Sequence, residues 1–589
     1  MKDSGNIRTI GLILEDAFTS FASEIIHSVS FMVKDLKNIR LVVIPGRQDD
    51  SRDPDDLMHR YKTMYNQIYR MNEQVSFDGL LLTFPNLSRV QTNIYRGVPK
   101  VYLATESENE VTVNYDDETG IREAIDYLVK IKGVTRLCML GGREDNTDAQ
   151  KRKRIFRQCL EENGLIYTED QYEPADMSTR TQEPAARLLA RNPDTQAVFC
   201  VNDASASGLY DVLREKGWEP GRDVFVFGFD NGPLAANLNP PLASIGPSGM
   251  TLGQKALEML LEQMDGKEVR SQTIPTRLFG RESLMYDMYE FTSREMLSAD
   301  NSFIDRFFDN CFYRYRNEVI GQGSINLKRL FFEILSRMMK AVRNRVMSEE
   351  EYREISRMIG ILFENGIMLY TDPNRFVYDF GRLQRTMNES LRASHVTEMN
   401  NRLFTLMKDK AIQFHGIRKR IDSGIYSVGR NRIQNFMTWT TNYGSPGEEA
   451  LERLIRQLDK IGLRDAAMYL YREPILCSDG AADRLPETML LRCVIRNREL
   501  FEIPADRKEC PVAEIYSRAE LPAGKLGCYS YPLFCGNHLF GMLVCGADAR
   551  LFEIGEFLTF HLSRAIYMNW VRTSQGAEEK EAYSCHEHA

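Results

Sequence analysis

Short apolar runs alternate with longer amphipathic stretches through the first half of the chain. The run Ile7-Arg-Thr-Ile-Gly-Leu-Ile-Leu14 ends in the acidic pair Glu15-Asp16, and an amphipathic segment follows at 21–36. An apolar run of that length, closed by polar residues, reads as a buried parallel strand, and the segment behind it as a crossover helix. The same alternation returns at 40–45, 77–84, 100–104, 136–140, 197–204 and 223–230. It predicts βαβ units and parallel sheets, an α/β class. Open sheets of this kind place ligands beyond the carboxyl ends of their strands, where Asp16, Asn202, Asp203 and Asp230 stand.

The pattern changes twice. From 285 to 443, Met, Arg, Phe, Glu and Leu recur at helical spacing, as in Leu327-Lys-Arg-Leu-Phe-Phe-Glu-Ile-Leu. Nothing there reads as a strand, and the segment is expected to be an all-helical connector. After Tyr443-Gly-Ser-Pro-Gly447 comes a helical stretch at 448–461, then strand candidates at 466–471, 489–495, 529–534 and 538–545, and a helix at 554–571. The Gly536-Asn537 pair between two apolar runs predicts a hairpin. The expected organisation is a sensor unit at 1–284, the connector at 285–443, an α+β unit at 444–575 and a flexible tail at 576–589. The 554–571 helix carries Phe557, Phe560, Leu562, Ile566 and Trp570 on more than one side. A helix apolar nearly all round needs a second burial surface, and a homodimer is the expected source.

Composition narrows the function classes. The chain has 589 residues, 75 Lys and Arg against 83 Asp and Glu, and a net charge of −8, so it lacks the overall positive field of a nucleic-acid binder. Its eleven cysteines are scattered with no CxxC pair, as reduced core residues of a cytoplasmic protein would be. The first apolar run is too short for a signal-peptide core, and no stretch reaches the length that spans a bilayer. P-loop, GxSxG, HExxH and zinc-finger spacings do not occur, and Glu15-Asp16-Ala17 stands where a dinucleotide fingerprint would place glycines. The expectation is a non-enzyme without cofactors. The terminal Cys585-His-Glu-His588 could suggest a metal, but its polar, terminal setting favours the bland reading.

Several ordered motifs resemble the effector-binding half of the LacI/GalR family of sugar-responsive repressors. They are Ile10-Gly-Leu-Ile-Leu-Glu-Asp16 with Phe21, Tyr115-Asp-Asp-Glu-Thr-Gly120, Leu140-Gly-Gly142 with Arg152 four residues before Phe156, Asn202-Asp203, and Gly228-Phe-Asp230. The resemblance covers about 7–280 and implies a two-lobed, periplasmic-binding-protein-like sensor that closes on a small polar ligand, sugar- or nucleoside-like. It implies cleft positions for Asp16, Phe21, Arg152, Asn202, Asp203 and Asp230. Carboxylates and a forked guanidinium suit adjacent hydroxyls, and an aromatic suits the ring face. The family's helix-turn-helix headpiece has no counterpart before Ile7, so DNA binding is not expected. Ala22 and Ile245-Gly-Pro-Ser248 depart from the family pattern where it grips the ligand.

Each candidate also has a structural reading. Acidic residues at strand ends cap the following helix; Arg152 lies in the basic run Lys151-Arg-Lys-Arg154; Phe21 suits a core as well as a stack. The segment Tyr-Pro-Leu-Phe-Cys-Gly-Asn-His-Leu-Phe-Gly-Met-Leu-Val before the last helix resembles a GAF-like domain. The combined expectation is a sensor relaying lobe closure to a GAF-like output module and a partner signalling protein. Two alternatives stay open: a regulator binding DNA through its helical region, and a cyclase-derived scaffold that binds no ligand.

Overall fold

A computed structural model describes residues 7–34, 36, 38–48, 56–83, 97–105, 109–248, 250–284, 302–312, 315, 326–371, 373–390, 395–442, 447–458, 463–477, 485–518, 527–546 and 549–587. The first lobe is built on β1 (Arg8–Leu14), β2 (Ile39–Pro45), β3 (Gly79–Leu82), β4 (Lys100–Leu103) and β5 (Thr112–Asp116), parallel in the order β2-β1-β3-β4-β5. The second contains β6 (Leu137–Leu140), β7 (Tyr172–Glu173), β8 (Ala197–Cys200), β9 (Phe225–Phe229) and β10 (Ala243–Pro247), parallel in the order β7-β6-β8-β9-β10. One strand serves both: β11 (Gln272–Phe279) runs parallel to β5 through Pro275, then antiparallel to β10 from Thr276. Strands buried on both faces read as continuous apolar runs, which is why β1, β3, β6 and β8 were legible.

Helices α1 (Ser20–Val33), α2 (Leu57–Tyr65), α3 (Gln67–Asn72), α4 (Asp117–Asp126), α5 (Thr147–Glu162), α6 (Gln182–Arg191), α7 (Asp203–Glu215), α8 (Pro233–Asn237) and α9 (Leu252–Met264) flank these sheets. Their starts follow capping chemistry. Thr19 accepts from the Ala22 amide, Asn146 from that of Ala149, and Thr251 forms a reciprocal box with Gln254. The result is a mixed α/β, two-lobed architecture, as the strand and helix alternation implies.

From 302 to 442 the described elements are helical: α10 (Ser302–Cys311), α11 (Leu327–Asn344), α12 (Glu349–Glu364), α13 (Pro373–Ser390) and α14 (His395–Asn442). They enclose a separate aromatic core around Phe307, Phe331, Phe376, Phe380 and Phe404, with Phe376 and Phe380 stacked at 4.0 Å.

The C-terminal unit comprises α15 (Glu448–Ile455), β12 (Ala466–Leu476), β13 (Thr488–Arg496), β14 (Glu499–Phe501), β15 (Glu509–Pro511), α16 (Ile515–Arg518), β16 (Cys528–Cys535), β17 (His538–Gly546) and α17 (Ala549–Glu587). Its antiparallel ladder runs β13-β12-β17-β16, with β14 and β15 both on β13. The Gly536-Asn537 hairpin is present, with Gly536 at φ +56°.

Two features differ from the sequence expectation. The C-terminal sheet is not a free-standing module: β16 pairs in parallel with β2, Cys528 opposite Val42 and Tyr529 opposite Val43, so it extends the first lobe's sheet. Gly527, at φ +93°, permits the approach, because a Cβ there would lie 2.7 Å from the Leu41 carbonyl oxygen. Local periodicity carries no trace of such distant pairing. Secondly, α17 continues to Glu587, through most of the segment expected to be flexible. Ala577-Glu-Glu-Lys-Glu-Ala582 are good helix formers, which explains the extension.

Leu558, Leu562 and Ile566 of α17 pack with Leu533 and Leu543 on one face of this sheet, and Phe436 of α14 joins them. The chain's own helix therefore covers part of α17, while Phe557 and Phe560 stay 44% and 46% exposed. The opposite face, with Tyr469, Tyr516 and Tyr531, merges with the first lobe's core.

Candidate functional site

At the carboxyl end of β9 the backbone turns sharply, and Asp230 and Asn231 take φ values of +99° and +52°. Such conformations are uncommon outside glycine and hold only where surroundings fix them. Here the Asp230 amide donates to the Ile245 carbonyl at 2.8 Å, the Asn231 amide to Ser244 Oγ at 3.0 Å, and the Gly232 amide to Asp203 Oδ2 at 2.9 Å. Ser244 Oγ also donates to Asp203 Oδ1 at 2.5 Å. Gly228 allows this, since a Cβ there would stand 2.5 Å from Asp203 Oδ1.

Arg152, on α5, lies across the same end of the lobe. Its Nε donates to Asp117 Oδ1 at 3.1 Å and its Nη1 to the Val201 carbonyl at 2.8 Å; Nη1 is 4.0 Å from Asp230 Oδ1. The guanidinium covers the Phe229 ring, 3.6 Å from its centroid. Lys151 Nζ binds the other Asp117 oxygen at 2.9 Å. The Arg152 side chain is 6% exposed and that of Asp117 3%, whereas Asp230 retains 16%.

Burial dominates the titration of Asp230 and Asp203. It pushes Asp230 up to about 7, with Arg152 opposing and Asp148 and Asp117 reinforcing. It holds Asp203 well above the usual carboxylate range, and the neighbouring Asp230 charge adds to that. Desolvation disfavours the ionised form, and two nearby carboxylates disfavour joint ionisation.

In the first lobe, Asp16 follows β1. It accepts from the Phe18 amide at 3.0 Å and lies 3.9 Å from Arg47 Nη1; burial raises its pKa against the pull of that hydrogen bond and of Arg47. Arg47 caps the Phe18 ring at 3.7 Å. Phe21 is partly buried against the lobe core.

The predicted residues thus divide. Arg152 and Asp230 come together at the open end of the second lobe. Asp203 supports the turn from behind, its two oxygens engaged by Ser244 and Gly232. Asn202 caps α7, accepting from the Ser205 amide at 2.8 Å and donating to the Met177 carbonyl at 2.8 Å. Asp16 and Phe21 belong to the other lobe. The basic run that suggested a solvated face for Arg152 splits, with Arg152 inward and Arg154 exposed. Sequence reasoning missed Asp117, although it lies inside a quoted motif, and Arg47, although β2 ends two residues before it. Among the described residues no group of three His, Cys, Asp or Glu side chains could hold a metal. The side chains of Cys585-His-Glu-His588 lie outside the described residues. No described helix is long and apolar enough to cross a membrane.

Comparison with known proteins bears on this geometry. Residues 125–284 match the periplasmic binding protein-like domain. The chain is 28% identical over 268 residues to the HTH-type transcriptional repressor PurR of Vibrio cholerae serotype O1, covering 44% of this chain and 75% of that repressor. It is 27% identical over 269 residues to the HTH-type transcriptional repressor CytR of Escherichia coli strain K12, covering 45% and 75%. Among solved structures, a transcriptional regulator CelR–cellobiose complex aligns at a TM-score of 0.40 with 23% identity, over 47% of this chain and 85% of that one. A sugar-binding LacI-family regulator from Enterococcus faecalis aligns at 0.38 with 26% identity, over 48% and 99%. The named sequence relatives are transcriptional repressors.

Proposed function

We propose that the protein is a cytoplasmic, non-catalytic regulator that binds a small polar molecule, sugar- or nucleoside-like, between its two lobes. The observation that carries this reading is Asp230. It is held in an uncommon backbone conformation at a strand end beside Arg152 and remains partly exposed while its supports Asp117 and Asp203 are buried. Asp230 and Arg152 exchange hydrogen bonds with ligand hydroxyls from one lobe, and Asp16 with Phe21 closes from the other. Asn202 and Asp203 hold the second-lobe surface in shape. Closure is relayed to the C-terminal unit, which we read as GAF-like, and from there to a partner protein or a second copy in a homodimer. A ligand drives such a change only through its different affinities for the open and closed forms.

Thermal melts of the full chain with D-ribose, cellobiose, cytidine and inosine test this. A ligand at a hundredfold excess over its Kd should stabilise the protein by about 2.7 kcal/mol. Asp230→Asn should abolish the shift; an undiminished shift in that variant would place the ligand elsewhere. The DNA-binding alternative would instead give salt-dependent, sequence-dependent retention of a duplex.

A further inference from the structure

The loop that brings Asp16 to the first-lobe face of the cleft is joined through Arg47 to the longest helix of the C-terminal unit. Arg47 sits just beyond β2, its backbone clamped by Asn66, which accepts from the Arg47 amide at 2.9 Å and donates to its carbonyl at 2.8 Å. From that fixed point the guanidinium faces two ways. It lies 3.7 Å over the Phe18 ring and 3.9 Å from Asp16 on the cleft side, and it forks onto Glu556 of α17 on the other, with Nε donating to Oε1 at 3.1 Å and Nη2 to Oε2. Tyr61 Oη of α2 donates to the same carboxylate at 2.6 Å. The pair is only partly shielded, Arg47 being 25% and Glu556 20% exposed.

The hydroxyls of Tyr65 and Tyr531 are buried at the seam around this fork, with no protein hydrogen-bond partner among the described residues. Both rings belong to the junction: Tyr65 packs edge-on against Phe18 and against Phe534 of β16, and a Cβ on Gly555, next to Glu556, would come within 2.5 Å of the Tyr531 ring.

We propose that Arg47 couples the cleft to α17: a ligand hydroxyl that donates to Asp16 alters the hold of Arg47 on Phe18 and, through the same guanidinium, on Glu556. Arg47 is a positioning residue in this scheme. The proposal rests on the sensor reading above, because it supplies the route by which closure reaches the C-terminal unit. Coupling between sites is reciprocal, so it can be measured without any ligand.

Hydrogen exchange on the full chain tests it, comparing wild type with Asp16→Asn, Glu556→Gln, the double variant and Arg47→Lys. Glu556→Gln should speed exchange of amides 16–19 at least threefold. Asp16→Asn should speed exchange at 555–560 by a similar factor, and the double variant should fall short of the product of the two. Arg47→Lys keeps the charge but loses the planar fork and stack, and should reproduce both effects. Tyr516→Phe is the control, since it breaks the bond from Tyr516 to Asn72 elsewhere on the same interface. If it loosens 16–19 as much as Glu556→Gln does, general undocking is responsible and the proposal fails. Strictly local effects of Asp16→Asn and Glu556→Gln would also overturn it. Failure of the ligand melts, by contrast, would remove the sensor reading and leave this measured coupling intact.

Discussion

Arg152 in the second lobe and Arg47 in the first occupy similar stations, each over an aromatic ring and each near a strand-end carboxylate. Their surroundings differ. Arg152 is 6% exposed and closes a cluster entirely within its lobe, through Asp117, the Val201 carbonyl and Asp230. Arg47 is 25% exposed and spends its strongest hydrogen bonds on Glu556, far away in the chain. A buried charge cluster resists rearrangement, because moving one member strands another in a medium that solvates it poorly. A partly hydrated pair can exchange partners at small cost. The second lobe is thus suited to hold a fixed binding surface, and the first to transmit movement.

The largest test of this contrast is Arg152→Met. Asp117 would then face Lys151 alone, and the full chain should lose about 3–5 kcal/mol in urea unfolding. A loss under about 1 kcal/mol would show that the second-lobe cluster is as adaptable as the first. Next comes pH. The folded pKa of Asp230, about 7, lies above its unfolded value, so the native state binds the extra proton between about pH 4 and pH 7. Stability from this group is full below the unfolded pKa and declines as pH rises through the folded one. Asp230→Asn cannot ionise, so the variant should gain on wild type by about 3 kcal/mol across that window, read as urea midpoints at several pH values. A constant difference would mean Asp230 titrates as an ordinary surface carboxylate. The smallest effect is expected from Tyr61→Phe, which removes one hydrogen bond to Glu556 and should cost about 1 kcal/mol. A loss as large as that for Arg152→Met would erase the distinction between the lobes.

What was legible in the sequence follows the range of the physics involved. β1, β3, β6, β8 and β9 announce themselves through apolar runs, because strands covered on both faces have no polar positions to interrupt them. β5 and β11, with Thr112, Asn114, Thr273 and Arg277, carry no such run and were passed over. Asp230 is legible as a polar residue ending an apolar strand, where an open sheet gathers ligand contacts, whereas Arg152, in a basic run, is reached only through the family resemblance. Asp203 and Asn202 follow a strand in the same way as Asp230, though their hydrogen bonds serve the turn and the helix cap. That placement could not separate a group that faces the cleft from one that props it up, since that depends on which oxygen Ser244 reaches. Glu556 was invisible, because its partner Arg47 is brought to it only by the fold.

The parallel seam between β2 and β16 also bears on how the chain is made. Val42 leaves the ribosome long before its partner Cys528, several hundred residues further along the chain, is synthesised. At roughly 5–20 residues per second, the outer edge of β2 waits tens of seconds with its amides and carbonyls unpaired. An open edge of Val and Ile is a template for any other nascent strand. During that interval the first lobe depends on chaperones or on rapid folding of its neighbours to avoid mispairing, and nonsense or frameshift products lacking β16 would keep that edge open permanently.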